Sequence, residues 1–312
     1  MSVFKIHHVT RYEYDRPVKE SNNEIKIYPY QCADQEVLQH DLQITNQPDI
    51  QTFSDYWGNK NGVFSVLPPH KLLIIDSRLI VRTLRDNDVK VNFESTLSDL
   101  QGEIEDNLQL LELAAKMSNS SENAIDNILQ QLNIENNSVA ALVEQCSQYI
   151  YNNFRYVKGI TNVETTVEEI LQLKSGVCQD FVHVLLQLLR TLNIPCRYVS
   201  GYICPNKDGM RGEGATHAWI EAWIPNYGWA GIDPTNNIWI TNRHVKLAVG
   251  RHFKDCSPVK GTFKGTAKQS LSVYVSVSYE DGHMFEELND VALTKDGNVI
   301  IEPLEEGYAA QQ

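Results

Sequence analysis

Three residues in the second half of the chain could together carry out nucleophilic chemistry. Cys178 precedes an apolar helical run, His217 lies at the start of an alternating segment, and Asp233 ends the segment that follows. A cysteine attacks a carbonyl carbon effectively when a histidine base is within hydrogen-bond reach and a third group orients that histidine. The set therefore predicts acyl transfer through a thioester, with Cys178 as nucleophile, His217 as base and Asp233 as the orienting acid.

The surroundings of Cys178 favour this chemistry. Gly176 permits a sharp turn just before it, and apolar residues then cover two adjacent helix faces as far as Leu192. Free N–H groups and the dipole of a first helical turn favour a thiolate and could hold an oxyanion. Taken alone, a cysteine before an apolar helix is more often a buried structural residue than a nucleophile. Its joint occurrence with a histidine and an aspartate at strand positions argues for catalysis.

His217 and Asp233 must lie on neighbouring strands in a suitable register. The segment that begins near His217 alternates with a period of two, and strand signals resume before Asp233 after a Pro-Asn-Tyr-Gly turn. A five-residue loop pairs Trp223 with Trp229 and places Asp233 diagonal to His217, ~7–8 Å apart between backbones, which side chains can bridge. A four-residue loop would separate them onto opposite faces. We predict the five-residue loop, or a bulge with the same effect.

The elements that must position these residues fall into three stretches. Up to about residue 95, short alternating runs separated by turn signals predict antiparallel strands in a sandwich or a curved sheet. Apolar residues at helical spacing follow, with a capping box from Thr166 to Glu169, and strands return after residue 196. The predicted fold is α+β. The predicted domains are an N-terminal β-sandwich-like domain (1–95), a core with a helical lead-in (96–265) and an acidic C-terminal β extension (266–312).

Charge and composition limit the partners. The 312 residues carry a formal net charge of −13, which makes nucleic acid and anionic lipid poor partners by bulk electrostatics. Residues 280–306 hold nine acidic residues against one lysine, so the total says less about the core. There is no run of ~18 apolar residues and no signal-peptide pattern at the start. We predict a cytoplasmic protein with no nucleic-acid or membrane partner, in which the five cysteines other than Cys178 are core residues.

Motifs around the three residues closely resemble those of the transglutaminase-like superfamily. They are Gly176–His183, Ile194–Arg197, Val199–Tyr202, Thr216–Trp219 and Gly231–Asn236. The resemblance covers roughly residues 150–265. It implies a papain-like α+β core, in which a helix bearing Cys178 packs on an antiparallel sheet that carries His217 and Asp233. These three positions match the nucleophile, base and orienting acid of the family.

A second resemblance concerns the remainder of the chain. His8–Tyr14, Asp55–Asn59 and Pro69–His70 look like the N-terminal β domain of bacterial transglutaminase-like proteins, and Asn242–Arg251 looks like the continuation of that branch beyond the core. The likeness reaches about residue 262, and the acidic tail has no match. The calcium sites of the eukaryotic enzymes have no visible counterpart in the sequence, so we predict no metal and no cofactor.

The implied reaction has two outcomes, and the sequence does not separate them. Attack of water on the thioester would make the protein a cysteine protease or amidase acting on protein or peptide substrates, the function we favour. Attack of a lysine amine would make it a protein-glutamine γ-glutamyltransferase. A third alternative is an interaction protein with a vestigial site, which the intact set of three residues disfavours. The oligomeric state stays open.

Further residues are candidates for the oxyanion site or the cleft. The backbone N–H of Cys178 is the first expected oxyanion donor. Gln179 and Tyr156 are candidates for the second, although Tyr156 is at least as well explained as a core aromatic. Trp219 could wall a cleft on the active face, or it could pack beneath the neighbouring β domain.

Overall fold

The protein consists of seven helices and seventeen strands in the described part of the chain, an α+β fold as predicted. The computed structural model describes residues 2–85, 90–116, 121–132, 134, 137–204, 210–212, 216–279, 284–293 and 299–300, the last two ranges as backbone. The helices are α1 Leu97–Glu105, α2 Leu108–Ala114, α3 Glu122–Leu129, α4 Val139–Asn153, α5 Val167–Leu173, α6 Cys178–Thr191 and α7 Phe253–Cys256. Within the described ranges, no helix is both long enough and apolar enough to cross a membrane.

The strands form three larger sheets and one short parallel pair. They are β1 Ser2–Val18, β2 Ser21–Ile25, β3 Gln35–Ile44, β4 Gln51–Ser54, β5 Lys60–Val66, β6 His70–Thr83, β7 Arg155–Tyr156, β8 Ser175–Gly176, β9 Cys196–Ile203, β10 Thr216–Ile224, β11 Gly228–Asp233, β12 Ile238–Trp239, β13 His244–Gly250, β14 Val259–Phe263, β15 Gln269–Tyr279, β16 Met284–Leu293 and β17 Val299–Ile300. The sheet orders are β17-β16-β15-β1-β6-β3, β12-β11-β10-β9-β13, β14-β2-β5-β4 and β7-β8.

Helix α6 packs on the five-stranded sheet. Phe181 and Leu185 of the helix share one apolar core with Ala218 and Ile220 of β10. This is the arrangement that the family resemblance implies. In the neighbouring hairpin Trp223 pairs with Trp229, which confirms the predicted register. Pairing extends one step further than expected, to residues 224 and 228, and shortens the loop to three residues.

A buried arginine fixes the far end of α6. Arg190 is 1% exposed, and its guanidinium donates to the backbone carbonyls of Leu113, Cys196 and Arg251 at 2.7–3.1 Å. These acceptors belong to α2, β9 and the segment after β13. One side chain therefore ties the helix to three other parts of the core, and the helix start is held in a fixed place relative to the sheet.

The N-terminal strands form a two-layer sandwich with help from the end of the chain. Tyr12, Ile25, Phe64 and Leu73 pack between the two sheets. β14 pairs with β2, and β15 pairs with β1 along eleven residue pairs, so strands from beyond residue 258 complete both sheets. The predicted sandwich is present, and the division into the ranges 1–95, 96–265 and 266–312 stays a prediction.

Two amide side chains join the sandwich to the core sheet. β13 is an edge strand, so its outer N–H and C=O groups need partners from outside the core sheet. The side chain of Gln35 accepts from the Lys246 N–H at 2.9 Å and donates to the Lys246 carbonyl at 2.8 Å. Asn59 does the same for Val249, at 2.8 and 2.7 Å. The edge of the core sheet is thus closed by side chains that imitate a further strand.

Candidate active site

Cys178 lies half-buried in the first turn of α6. The Val177 N–H donates to Asp180 Oδ2 at 2.8 Å, and the Thr161 hydroxyl donates to the same oxygen at 2.6 Å. A Cβ at Gly176 would lie 2.5 Å from this oxygen, so only glycine fits before the helix. Burial raises the pKa of Asp180, although both hydrogen bonds oppose that effect. These contacts fix the turn that presents the thiol.

The first helical turn also offers backbone donors near the thiol. The N–H groups of Cys178 and Gln179 have no carbonyl partner within the helix, because the chain turns just before it. They point along the positive end of the helix dipole. The Gln179 side chain is half-buried beside them. An anion that develops next to the sulfur would therefore meet donors that are already in place.

His217 and Asp233 form a buried pair. His217 Nε2 lies 2.9 Å from Asp233 Oδ2, and both side chains are inaccessible to solvent. The carboxylate also accepts from the Thr235 N–H at 2.9 Å and from Asn236 Nδ2 at 2.7 Å. Three donors thus hold Asp233 in place, so its carboxylate fixes the orientation of the His217 ring.

The second ring nitrogen of His217 is left unused by Asp233. Nδ1 is buried and has no hydrogen-bond partner of good geometry in the described part of the chain. The thiol of Cys178 nevertheless lies close enough to act on the ring both as a charge and as a hydrogen-bonding group. With Nε2 occupied by Asp233, Nδ1 is the nitrogen left to exchange a proton with the sulfur.

The electrostatics of this pair favour a charged histidine. Burial by itself lowers the pKa of His217, but attraction to Asp233 and then to Cys178 outweighs burial and raises that pKa. Burial by itself raises the pKa of Asp233, but the charge and hydrogen bond of His217 outweigh it and lower the pKa. Asp233 therefore favours the state in which His217 has accepted a proton.

A short segment covers His217. A Cβ at Gly212 would lie 3.1 Å from His217 Nδ1 and 3.3 Å from the Tyr156 hydroxyl, and Gly212 has φ of +78°. The backbone of Arg211 is held by Asn236, which accepts at 2.8 Å and donates at 3.2 Å. His217 and the Tyr156 hydroxyl thus both lie close to Gly212, and the positive φ together with this close approach favours glycine at that position. Neither Gly212 nor Asn236 was assigned a role from the sequence.

A second histidine touches the acid. His244 Nε2 lies 3.8 Å from Asp233 Oδ2, and its side chain is fully buried at the start of β13. The sequence pattern offered no signal for this contact. His244 precedes an apolar strand, and only the path of the chain after Asp233 brings the two side chains together.

Trp219 lies away from any cleft. It is 0% exposed and packs with Val199 and Val249 against Tyr30 and Trp57 of the N-terminal strands and loops. The indole therefore offers no surface to a substrate. Its place is beneath the β domain, the second of the two positions considered from the sequence.

The remaining cysteines separate by exposure. Cys146, Cys196, Cys204 and Cys256 are buried, and burial raises the pKa of each thiol. Cys32 is half-buried, so the prediction that all five are core residues is wrong for this one. All six are free thiols. Among the described residues, no group of three or more His, Cys, Asp or Glu side chains is arranged to hold a metal ion.

Two family models match the chain. The model of the transglutaminase-like superfamily matches residues 126–234, the range that contains Cys178, His217 and Asp233. The model of the bacterial transglutaminase-like N-terminal region matches residues 4–82. Both matches agree with the two resemblances drawn from the motifs.

Several known proteins are similar over shorter or longer parts of the chain. An uncharacterized protein of Mycobacterium leprae is 30% identical over 279 residues, which are 88% of this chain and 98% of that protein. A protein-glutamine gamma-glutamyltransferase of Pseudomonas aeruginosa is 28% identical over 107 residues, 32% of this chain and 16% of that protein. The solved structure of a protein named a putative cysteine protease from Cytophaga hutchinsonii has a TM-score of 0.68 and 21% identity, and covers 93% of this chain and 97% of that one.

Proposed function

Because the chain belongs to the transglutaminase-like superfamily, we propose that it is a cysteine enzyme acting on protein or peptide amides through a thioester. Cys178 is the nucleophile, His217 the general base and acid, and Asp233 the orienting group. One observation carries the proposal. The Asp233 carboxylate occupies Nε2 of His217 at 2.9 Å and leaves Nδ1 for the thiol at the start of α6.

The reaction follows from these positions. His217 Nδ1 takes the thiol proton, and the Cys178 sulfur attacks the amide carbon to form a tetrahedral oxyanion. His217 then returns the proton to the departing amine as the carbon–nitrogen bond breaks, leaving a thioester on Cys178. Water or a second amine, deprotonated by His217, attacks the thioester and releases the acyl group. Asp233 stabilises the imidazolium in both halves of the reaction.

The oxyanion is stabilised by donors near the sulfur. The Cys178 N–H in the first turn of α6 is the first of them. Gln179, half-buried next to it, and Tyr156, whose hydroxyl lies beside His217, are the candidates for the second. Exchanging each for a residue of similar shape without the donor, Gln179→Met and Tyr156→Phe, separates them. Removal of the true second donor should lower kcat by roughly 10²–10³-fold, and removal of the other should not.

Hydrolysis is the favoured outcome over amine transfer. The neighbour named a putative cysteine protease matches nearly the whole chain in fold. The relative named a gamma-glutamyltransferase aligns with only 32% of this chain. That relative keeps protein-glutamine γ-glutamyltransferase activity as the second candidate function. The cytoplasmic location stays a prediction.

One experiment separates the candidates. The full-length protein is incubated with a glutamine-rich acceptor such as casein and a labelled primary amine, and both amine incorporation and new peptide or ammonia release are followed. The Cys178→Ala protein is the matched control. Fragments or ammonia without incorporation support hydrolysis, and incorporation supports the transferase.

The binding-protein alternative has its own test. Iodoacetamide alkylation at neutral pH compares Cys178 with half-buried Cys32 in the same molecule. A catalytic thiol should react faster than Cys32 and should lose that advantage in the His217→Ala protein. If Cys178 reacts no faster than Cys32, and His217→Ala leaves its rate unchanged, the catalytic proposal fails and an interaction protein with a vestigial site is the better account.

A further inference from the structure

His244 is a buried imidazole next to the orienting acid, and the proposed reaction does not use it. Its Nε2 lies 3.8 Å from Asp233 Oδ2, and solvent does not reach the side chain. Its ring meets Trp219 edge-on, with centroids 5.2 Å apart, and is 6.4 Å from the ring of His217. The His244 ring therefore packs against Trp219 with its Nε2 beside the Asp233 carboxylate.

The hydrogen bonds of His244 define which nitrogen carries the proton. The Thr241 N–H donates to His244 Nδ1 at 3.3 Å. Because a backbone N–H can only donate, Nδ1 is the acceptor, and the single proton of the neutral ring lies on Nε2. Nε2 has no other hydrogen-bond partner in the described part of the chain. Its N–H is thus available to the Asp233 carboxylate.

The charges around His244 keep it neutral. Burial lowers the pKa of His244, the hydrogen bond and charge of Asp233 oppose this, and the positive charges of His217 and Arg85 act in the same direction as burial. The net result is a lowered pKa. A neutral donor stabilises the ionised carboxylate without cancelling its charge. The negative charge of Asp233 therefore stays available to His217.

Resting on the proposed function, we infer that His244 is a positioning residue whose neutral Nε2–H holds the Asp233 carboxylate ionised and directed at His217. Asp233 in turn keeps His217 Nδ1 directed at Cys178. The separation of 3.8 Å exceeds that of a formed hydrogen bond, so the contribution is smaller than that of Asn236, which donates to the same oxygen at 2.7 Å. His244 acts through Asp233, and its effect is on the rate of the chemical step.

The test uses two substitutions that differ only in the donor. His244→Gln and His244→Met have the same length and both lose the ring contact with Trp219, but only glutamine keeps an N–H at the end of the side chain. The second-order rate of Cys178 alkylation by iodoacetamide is measured in the full-length proteins at neutral pH. We expect the glutamine protein to react roughly threefold faster than the methionine protein, which is less than the tenfold or more that a fully formed hydrogen bond to a charged group is worth. The downfield proton resonance of the His217–Asp233 hydrogen bond should persist in the glutamine protein and broaden or shift in the methionine protein.

The outcomes distinguish this inference from the function beneath it. If both variants react at the same rate, or if neither folds at 25 °C, His244 is a core residue and the inference is overturned. If wild-type Cys178 reacts no faster than Cys32, the proposed function itself has failed. A fast wild-type thiol with equal rates in the two variants removes only the role of His244.

Discussion

Two buried carboxylates in the core sheet each lie between two basic side chains, and they differ in how completely those partners are satisfied. The Glu221 cluster consists of Glu221, Arg197 and Lys246. Arg197 donates through Nε at 2.8 Å and pairs through Nη2 at 2.6 Å with one carboxylate oxygen, and Lys246 binds the other. None of the buried side-chain nitrogens or oxygens of this cluster lacks a hydrogen bond.

The Asp233 cluster consists of Asp233, His217 and His244. The Asp233 carboxylate accepts several hydrogen bonds, but each histidine of the cluster has one ring nitrogen without a hydrogen bond within the part of the chain that the structure describes. Nδ1 of His217 and Nε2 of His244 are both buried without a hydrogen bond of good geometry in the described residues. Burying unpaired polar groups is costly. We therefore expect the satisfied Glu221 cluster to stabilise the fold, and the Asp233 cluster to retain groups for the proposed chemistry.

The largest expected effect separates the clusters by activity. In Asp233→Asn the amide keeps the shape, but it can support the wrong tautomer of His217, so proton exchange with Cys178 is disturbed. We expect the rate of peptide-amide cleavage and the alkylation rate of Cys178 to fall by roughly 10³–10⁴-fold, while the protein still folds. Turnover of a peptide amide and the alkylation rate of Cys178 measure this, with circular dichroism as the folding control. A variant that retains a tenth of the wild-type rate would contradict the role of Asp233.

The second expected effect is on stability and concerns the Glu221 cluster. In Glu221→Gln two buried cations lose their countercharge, which costs about 3–5 kcal/mol of the free energy of unfolding. Urea unfolding measures it. Glu94→Gln, at an exposed glutamate, is the matched control and should change stability by less than about 0.5 kcal/mol. The folded fraction of the Glu221→Gln protein should keep near wild-type reactivity at Cys178. A loss below 1 kcal/mol would remove the distinction between the clusters.

The third effect probes the cover over the Asp233 cluster. In Gly212→Ala the new Cβ would lie close to His217 Nδ1 and the Tyr156 hydroxyl. The backbone of an alanine at a φ of +78° would also be strained. We expect roughly a tenfold loss of Cys178 reactivity. Gly102→Ala in α1 is the control, since a Cβ there meets nothing within 4 Å. It should raise stability by about 0.5–1 kcal/mol and leave reactivity unchanged. Equal reactivity in the two variants would show that Gly212 does not constrain the base.

The parts of the site that local sequence pattern could predict are those that depend on neighbouring residues. The period of two around His217 and the length of the turn before Trp229 determine which residues pair, and the register followed from them. The glycine and apolar pattern around Cys178 likewise placed the thiol at a helix start. Thr166 and Glu169 form the capping box expected from their spacing. These features are local, so a single sequence contains them.

The contacts of His244, Gly212 and Glu221, which sequence reasoning missed, are long-range. His244 reaches Asp233 only through the connection between β11 and β13, and Gly212 lies next to His217 although no sequence pattern links the two residues. The sequence pattern assigns no partners to Glu221. Its partners come from β9 and β13. The periodicity of the sequence does not predict such contacts, because they depend on the order of the strands in the sheet and not on spacing along the chain.

The smallest expected effect is in the pH dependence of the unfolding free energy. This dependence is expected for the Asp233 cluster and not for the Glu221 cluster. The pKa of His217 is raised above 6.5, so its stabilising contribution is complete below pH 6.5 and is lost as the pH rises through the raised pKa. The pKa of Asp233 is lowered below 3.8, so its contribution is present above pH 3.8 and is lost only in acid. The difference in unfolding free energy between wild type and Asp233→Asn should therefore be larger at pH 5 than at pH 9, by on the order of 1 kcal/mol.

Attraction to Lys246 and Arg197 overcomes burial and lowers the pKa of Glu221 to about 2, so Glu221 stays charged from pH 5 to pH 9. The difference between wild type and Glu221→Gln should be the same at pH 5 and pH 9. Urea unfolding of the three proteins at both pH values measures both differences, and a flat response in the Asp233 pair would mean that His217 is not held as a cation by Asp233.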